Sequence, residues 1–181
     1  MRSGNGERSV ETKLQLRPSG PRPRGKPRLP GFDYLGRYAY HLEFTTDRRK
    51  PILLGSQAAE SCVRALPIAA SQCYFRVLAY TVMPDHMHAL VLGVHEDSNL
   101  LRLVQRFKQV TGFHYKRQTD DQLWEQSFFD RVIRGDEDLS SVAAYIFDNP
   151  VKGQLVGSYS SYQWSGGDYF CRLSEPPGER S

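Results

Sequence analysis

Two histidines lie two positions apart in "MPDHMHAL", residues 83–90. On a strand, side chains at i and i+2 share a face. His86 and His88 would then be neighbours, with Met87 turned the other way, toward a core. Two neutral imidazoles on one face can chelate a divalent metal. Two ligands do not complete a catalytic site, so a further donor is required. The same pattern also suits a polar strand edge at a hairpin, and both readings stand at this point. The metalloprotease helix pattern HExxH is absent. A second pair lies in "AAYIFDNPVKGQLV", residues 143–156. On a helix, Tyr145 and Asn149 stand four apart and share a face. A phenol beside an amide oxygen reads as a nucleophile with a ligand, or more plainly as a packed helix aromatic. His41, His95 and His114 stand apart in the sequence and are expected to be structural or exposed.

These groups need a scaffold. "RYAYHLEFTT" (37–46) alternates aromatic and polar residues, the pattern of a strand. Residues 56–70 have helix-forming composition, with Pro67 expected to end or kink the helix. Residues 73–83 and 88–94 are rich in strand formers, and Met83, Pro84 and Asp85 suit a tight hairpin between them. Residues 98–117 show helical spacing. Leu100, Leu103, Val104, Phe107, Val110 and Thr111 fall on one face, and Ser98 is placed to cap. Residues 127–134 read as a fourth strand. Residues 136–149 read as a helix with acids in its first turn, stopped by Pro150. The order β-α-β-β-α-β-α predicts an α+β fold: a ferredoxin-like (RRM-like) antiparallel sheet with helices packed on one face and the other face open. That topology serves many functions and does not choose one.

Charge separates the chain into parts. Residues 1–30 carry eight Lys and Arg against Glu7 and Glu11, so the net charge of +4 leaves the rest of the chain slightly acidic. "RPSGPRPRGKPRLPG" (17–31) cannot bury apolar surface and is expected to stay extended or disordered. The expected division is a basic tail over 1–31, a domain over 32–165 and a C-terminal tail over 166–181. A basic arm on a near-neutral domain suits a polyanion, or is simply a solvated tail. Cys62, Cys73 and Cys171 form neither a disulfide framework nor a CxxC pattern, which fits a reducing, intracellular setting. No apolar run long enough for a membrane span and no secretory h-region are present. No GxxxxGK[ST] loop is present either, so nucleotide hydrolysis is not expected.

Four motifs in order, "YTVMPDHMHALV", "LVQRFKQVTG", "WEQSFFDRVIR" and "YIFDNPVKGQLV", together with "RLPGFDYLGRYAYHLEFTT", resemble the single-tyrosine HUH transposases. Within these the chain is most similar to the REP-associated tyrosine transposases of bacteria, over roughly residues 28–165. The resemblance implies that His86 and His88 bind a divalent metal, Mg²⁺ or Mn²⁺. It implies that Tyr145 is the nucleophile and Asn149 the third ligand, where insertion-sequence relatives usually carry Gln. The implied substrate is single-stranded DNA with a hairpin, nicked and rejoined through a 5′-phosphotyrosine in DNA transposition or repeat processing. The implied setting is the bacterial cytoplasm at the nucleoid, and the implied state a monomer or a homodimer. The alternative is a domesticated, catalytically silent nucleic-acid-binding module. Arg102, Arg106, Lys108, Lys116 and Arg117, with Arg22, Arg24, Lys26 and Arg28 of the tail, are the expected DNA contacts. Each is equally an ordinary solvated cation. The family commonly reads "NPVRAGLV" where this chain has "NPVKGQLV", and often His where this chain has Arg131. Neither departure touches a proposed ligand or the nucleophile.

Overall fold

The computed structural model describes residues 32–54, 57–133 and 138–170. Along the chain run β1 (Ala39–Thr45), α1 (Gln57–Ser71), β2 (Phe75–Val82), β3 (His86–Gly93), α2 (Leu100–Thr119), β4 (Phe129–Ile133), α3 (Leu139–Lys152) and β5 (Ser165–Gly166). The strands form one antiparallel sheet in the order β4-β1-β3-β2-β5. The expected α+β antiparallel architecture is therefore present, with a short fifth strand added.

Strand alternation decides what each face holds. Tyr40, Leu42 and Phe44 of β1 and Met87, Ala89 and Val91 of β3 point to a core shared with α1 and α2. Leu66, Leu103 and Phe107 fill it from the helices. Ala39, Leu90, Leu92 and Ile133 point the other way, into a second core closed by Val142, Ala143, Ile146 and Phe147 of α3. The helices thus divide between the faces: α1 and α2 cover one, and α3 lies on the face that the sequence reading left open. The reason lies in β3. On that face it runs His86, His88, Leu90, Leu92, polar at one end and apolar at the other. The apolar half demands cover, and α3 supplies it, with Tyr145 on its flank reaching the histidine half.

Both helix prolines sit inside their helices and end neither. Pro67 lies on the exposed side of α1, so the carbonyl it leaves unpaired can turn to water. Pro150 is buried and cannot donate to the Ile146 carbonyl one turn back. The Asn149 side-chain nitrogen does so instead, at 3.1 Å, and also reaches the Tyr145 carbonyl at 2.9 Å. α3 therefore continues to Lys152 and ends at Gly153. Two caps also differ from expectation. Asn99 rather than Ser98 caps α2 by accepting from the Arg102 amide. The Ser98 hydroxyl instead donates to the Tyr74 carbonyl at 2.8 Å. Asp138 caps α3, so no acid lies in its first turn.

The packing continues past residue 165. Arg76 of β2 donates to Asp168 from two nitrogens, at 2.6 and 2.9 Å. Phe170 packs edge-on against Phe147 with centroids 5.2 Å apart. Residues 166–170, expected in the C-terminal tail, thus brace α3 and β2. The basic tail and Cys171 lie outside the described residues. Among the described residues no helix is long and apolar enough to cross a membrane.

The α1/α2 core centres on Phe107, which meets Phe44 at 4.8 Å and Trp124 at 5.8 Å between ring centroids. Phe107→Ala should lower the unfolding free energy by about 3–5 kcal/mol in urea titrations. Phe113→Ala, at a ring 59% exposed on the same helix, should change it by less than about 0.5 kcal/mol.

Candidate active site

The hairpin between β2 and β3 is held from outside. The Thr46 amide and hydroxyl both donate to the Asp85 carbonyl, at 3.0 and 2.8 Å, and the Leu53 amide donates to the Pro84 carbonyl at 2.9 Å. This fixes where β3 begins, and so the phase that puts His86 and His88 on the same face. Met87 is fully buried on the opposite face, as its position between them requires. The two imidazole centroids lie 4.8 Å apart, near perpendicular.

Each imidazole is engaged through its Nδ1. The Asp85 carboxylate meets His86 Nδ1 at 2.6 Å. Asp85 Oδ2 is in turn reached by Arg49 at 3.4 Å, and the same guanidinium reaches Glu43 at 3.5 Å. His88 Nδ1 lies 3.3 Å from Nε2 of His41. His41, expected to stand apart, is therefore part of the cluster. A signal for it existed in the sequence. Tyr40, Leu42 and Phe44 mark the core phase of β1, which puts His41 and Glu43 in the polar phase, as the pair is in β3.

α3 brings the second motif to the same place. Tyr145 is 49% exposed. Its ring stands edge-on to His41 and His88, with centroids 6.0 and 6.4 Å away. Lys152 holds its ammonium 4.8 Å from the centre of the Tyr145 ring and pairs with Asp148 at 2.9 Å. Beside them His41, Arg131, Ser141, Val142 and Tyr145 line a shallow cavity of about 410 Å³. Asn149 sits one turn beyond Tyr145. Its nitrogen is spent on backbone carbonyls, so Oδ1 is the side-chain atom left to accept.

Burial sets the charge of the inner histidines. It lowers the pKa of His88 to about 3, with His41 and His86 adding to the effect. It lowers that of His41 to about 4, with Arg131 contributing. Both rings are therefore neutral at pH 7 and keep a lone pair. Burial works against the Asp85 carboxylate. The hydrogen bond to His86, the charge there and Arg49 outweigh it and hold the pKa below the usual range. The donor chemistry fits a small divalent cation: two imidazole nitrogens not used by Nδ1 contacts, and one amide oxygen. Among the described residues no group of three or more His, Cys, Asp or Glu could hold a metal ion, so a cation here would depend on the amide and on substrate oxygens.

The basic residues divide differently from the expectation. Arg102, Arg106, Lys108, Lys116 and Arg117 all lie on α2, which packs across the sheet from the histidines. Lys108 is committed to structure, its ammonium donating to the carbonyls of Glu125, Gln126 and Ser127. Burial lowers its pKa to about 8. Arg106 donates to Gln72 at 3.0 Å, and Arg117 lies over the Phe113 ring at 5.7 Å. Arg102 and Lys116 are exposed. Arg22, Arg24, Lys26 and Arg28 lie outside the described residues. Among the described residues, Arg131 and Lys152 lie beside Tyr145, and neither was singled out as a DNA contact from the sequence.

The model of the family described as "Transposase IS200 like" matches residues 35–149, a span that takes in both histidines, Tyr145 and Asn149. The chain belongs to this family. A protein assigned as a REP-associated tyrosine transposase in Haemophilus influenzae is 29% identical over an alignment of 102 residues that covers 50% of this chain and 58% of that protein. The chain thus spans little more than half the length of that relative. A solved structure of a REP-associated tyrosine transposase bound to a REP hairpin matches with a TM-score of 0.60 at 21% identity, over 77% of this chain and 81% of that one. At that identity the likeness is one of fold.

The buried neutral histidines make stability depend on pH. In the unfolded chain a histidine titrates near 6.5, well above the folded values of about 4 and about 3. Between those limits the unfolded state binds more protons, so stability falls as pH falls through 6.5. Urea unfolding should show a loss of about 3–4 kcal/mol between pH 7 and pH 5. A flat profile over that window would mean that the rings are not buried neutral.

Proposed function

We propose that the protein is a metal-dependent, single-stranded DNA nicking and strand-transfer enzyme. It works through a 5′-phosphotyrosine at hairpin DNA, in transposition or repeat processing. One observation carries the reading. The Tyr145 ring of α3 stands edge-on to the buried His41 and His88 at the polar end of the sheet face, with Asn149 one turn along. The hairpin substrate is extended to this chain from the fold neighbour that holds one. Action in the cytoplasm follows from a DNA substrate.

In the first step Tyr145 Oη gives up its proton to solvent and attacks a backbone phosphorus. The P–O3′ bond breaks, the 3′ oxygen takes up a proton, and the 5′ phosphate remains on the tyrosine. In the second, a 3′-OH attacks that phosphorus and the tyrosine leaves as the phenol. One phosphate ester is exchanged for another each time, so no nucleotide hydrolysis is needed. A divalent cation held by His86, His88 and Asn149 would supply a Lewis acid that offsets charge on the phosphoryl oxygens. The protein's part is placement. His86 and His88 present their Nε2 atoms, Asn149 presents Oδ1, and Lys152 sets a positive charge beside the ring that receives the phosphate. Since burial lowers the pKa of His88, its own protonation would stop activity well below the ordinary histidine value of about 6.5.

DNA binding would combine the basic tail with exposed cations. Arg131 and Lys152 serve the strand at the tyrosine. Arg102, Arg106, Lys116 and Arg117 serve DNA only where it passes around the sheet to the other face. Lys108 drops out of the set, because its ammonium is already spent on carbonyls.

Incubation with a hairpin-bearing oligonucleotide and Mn²⁺ should give a covalent protein–DNA adduct on a denaturing gel. Tyr145→Phe should abolish it, and His88→Ala should reduce it at least about 100-fold while binding persists. Equal adduct from wild type and Tyr145→Phe would remove the nucleophile. Binding with no adduct from wild type under any divalent cation would favour a silent binding module. Removal of residues 1–31 should weaken binding and flatten the slope of log K against log salt. An unchanged slope would take the tail out of the interface.

A further inference from the structure

We propose that His41 is a positioning residue for His88. It accepts a hydrogen bond from His88 Nδ1 and so keeps the His88 Nε2 lone pair bare and forward. The inference rests on the metal reading above and adds a residue that this reading does not contain.

Strand register brings the two rings together. β1 and β3 pair with His41 opposite Leu90 and Glu43 opposite His88. His41 and His88 are thus diagonal neighbours on one face, where long or aromatic side chains still meet. Their ring centroids lie 5.2 Å apart, and His41 Nε2 lies 3.3 Å from His88 Nδ1. His41 is 8% exposed and His88 5%, so water is a poor substitute for either partner.

Two neutral imidazoles share a hydrogen bond in only two ways. If His41 Nε2–H donates, the His88 proton must sit on Nε2, and that nitrogen cannot bind a cation. If His88 Nδ1–H donates, its Nε2 is bare. His86 faces no such choice, since the Asp85 carboxylate only accepts and so fixes the His86 proton on Nδ1. His88 needs an acceptor too, and His41 becomes one by carrying its own proton on Nδ1.

The use of an imidazole here has a physical reason. A carboxylate at position 41 would place a buried negative charge in the floor of a site meant for phosphate. A neutral acceptor orients His88 without that repulsion. The same contact excludes His41 as a third ligand through Nε2, because that atom is already committed.

The first test uses the metal-free wild-type chain. Long-range ¹H–¹⁵N correlation near pH 7.5 should show His88 protonated on Nδ1 with Nε2 bare, and His41 likewise protonated on Nδ1. A His88 proton on Nε2 would overturn the proposal. The second test follows Mn²⁺ binding by electron paramagnetic resonance. His41→Phe should weaken binding about 10- to 100-fold. His41→Gln, whose amide oxygen can still accept from His88, should bind near wild-type strength. Wild-type affinity in His41→Phe would refute a positioning role. A loss in His41→Gln as deep as in His88→Ala would make His41 a ligand instead, and refute it equally. Wild-type binding no tighter than that of His88→Ala would sink the metal reading, and the tautomers alone would then judge the His41–His88 bond. The tautomer measurement needs no variant, so it stands even if His41→Phe does not fold.

Discussion

β3 is buried on both faces, and the rest of the molecule depends on how it divides its residues. It lies at the centre of the sheet, between β1 and β2. A strand gives alternate residues to opposite sides, so Met87 can serve the α1/α2 core only if His86 and His88 serve the other side. A slip of one residue would bury both imidazoles in the larger core and turn Met87, Ala89 and Val91 toward α3. The clasp on Asp85 and Pro84 prevents that slip. Fold and site are therefore set by one register, and neither can drift without the other.

The site needs a second body, and α3 is held by packing rather than by polar contact with the histidines. Val142, Ala143, Ile146 and Phe147 bury one side of it against the sheet. Tyr145 and Asn149 lie on the flank of that buried side, beside the polar half of the sheet face. Gly166 and Gly167 let the last strand lie close to β2. At Gly167, with φ of 114°, a Cβ would strike the backbone of Ala79. The segment that follows then closes on α3 through Phe170. The angle at which the phenol meets the imidazoles thus depends on apolar contacts on the far side of the helix.

Much of this was legible in the sequence, and what was not has a common cause. β1 to β4, the helices and the hairpin follow local periodicity, so they could be read within a few residues. The pairing of His86 with His88 is local too, and so is that of Tyr145 with Asn149. The contact of His41 with His88 joins residues 47 apart, and only strand order makes it. The side on which α2 sets its arginines is likewise a matter of topology, which helical spacing does not state. Lys108 looked like a phosphate contact because a sequence shows its charge and not the three carbonyls around it. Pro150 looked like a stop because the repair of the broken bond comes from a neighbouring side chain.

That repair has a consequence of its own. An asparagine side chain free to rotate would offer oxygen or nitrogen to whatever lies in front of it. Here the proline behind it has left a carbonyl wanting a hydrogen, and the carbamoyl group answers, so its oxygen must turn outward. What looks like a flaw in the helix therefore acts as a latch on polarity. Restoring an ordinary backbone amide at position 150 would make the helix more regular while releasing that latch. In this chain an irregular helix and a well-aimed oxygen are the same feature.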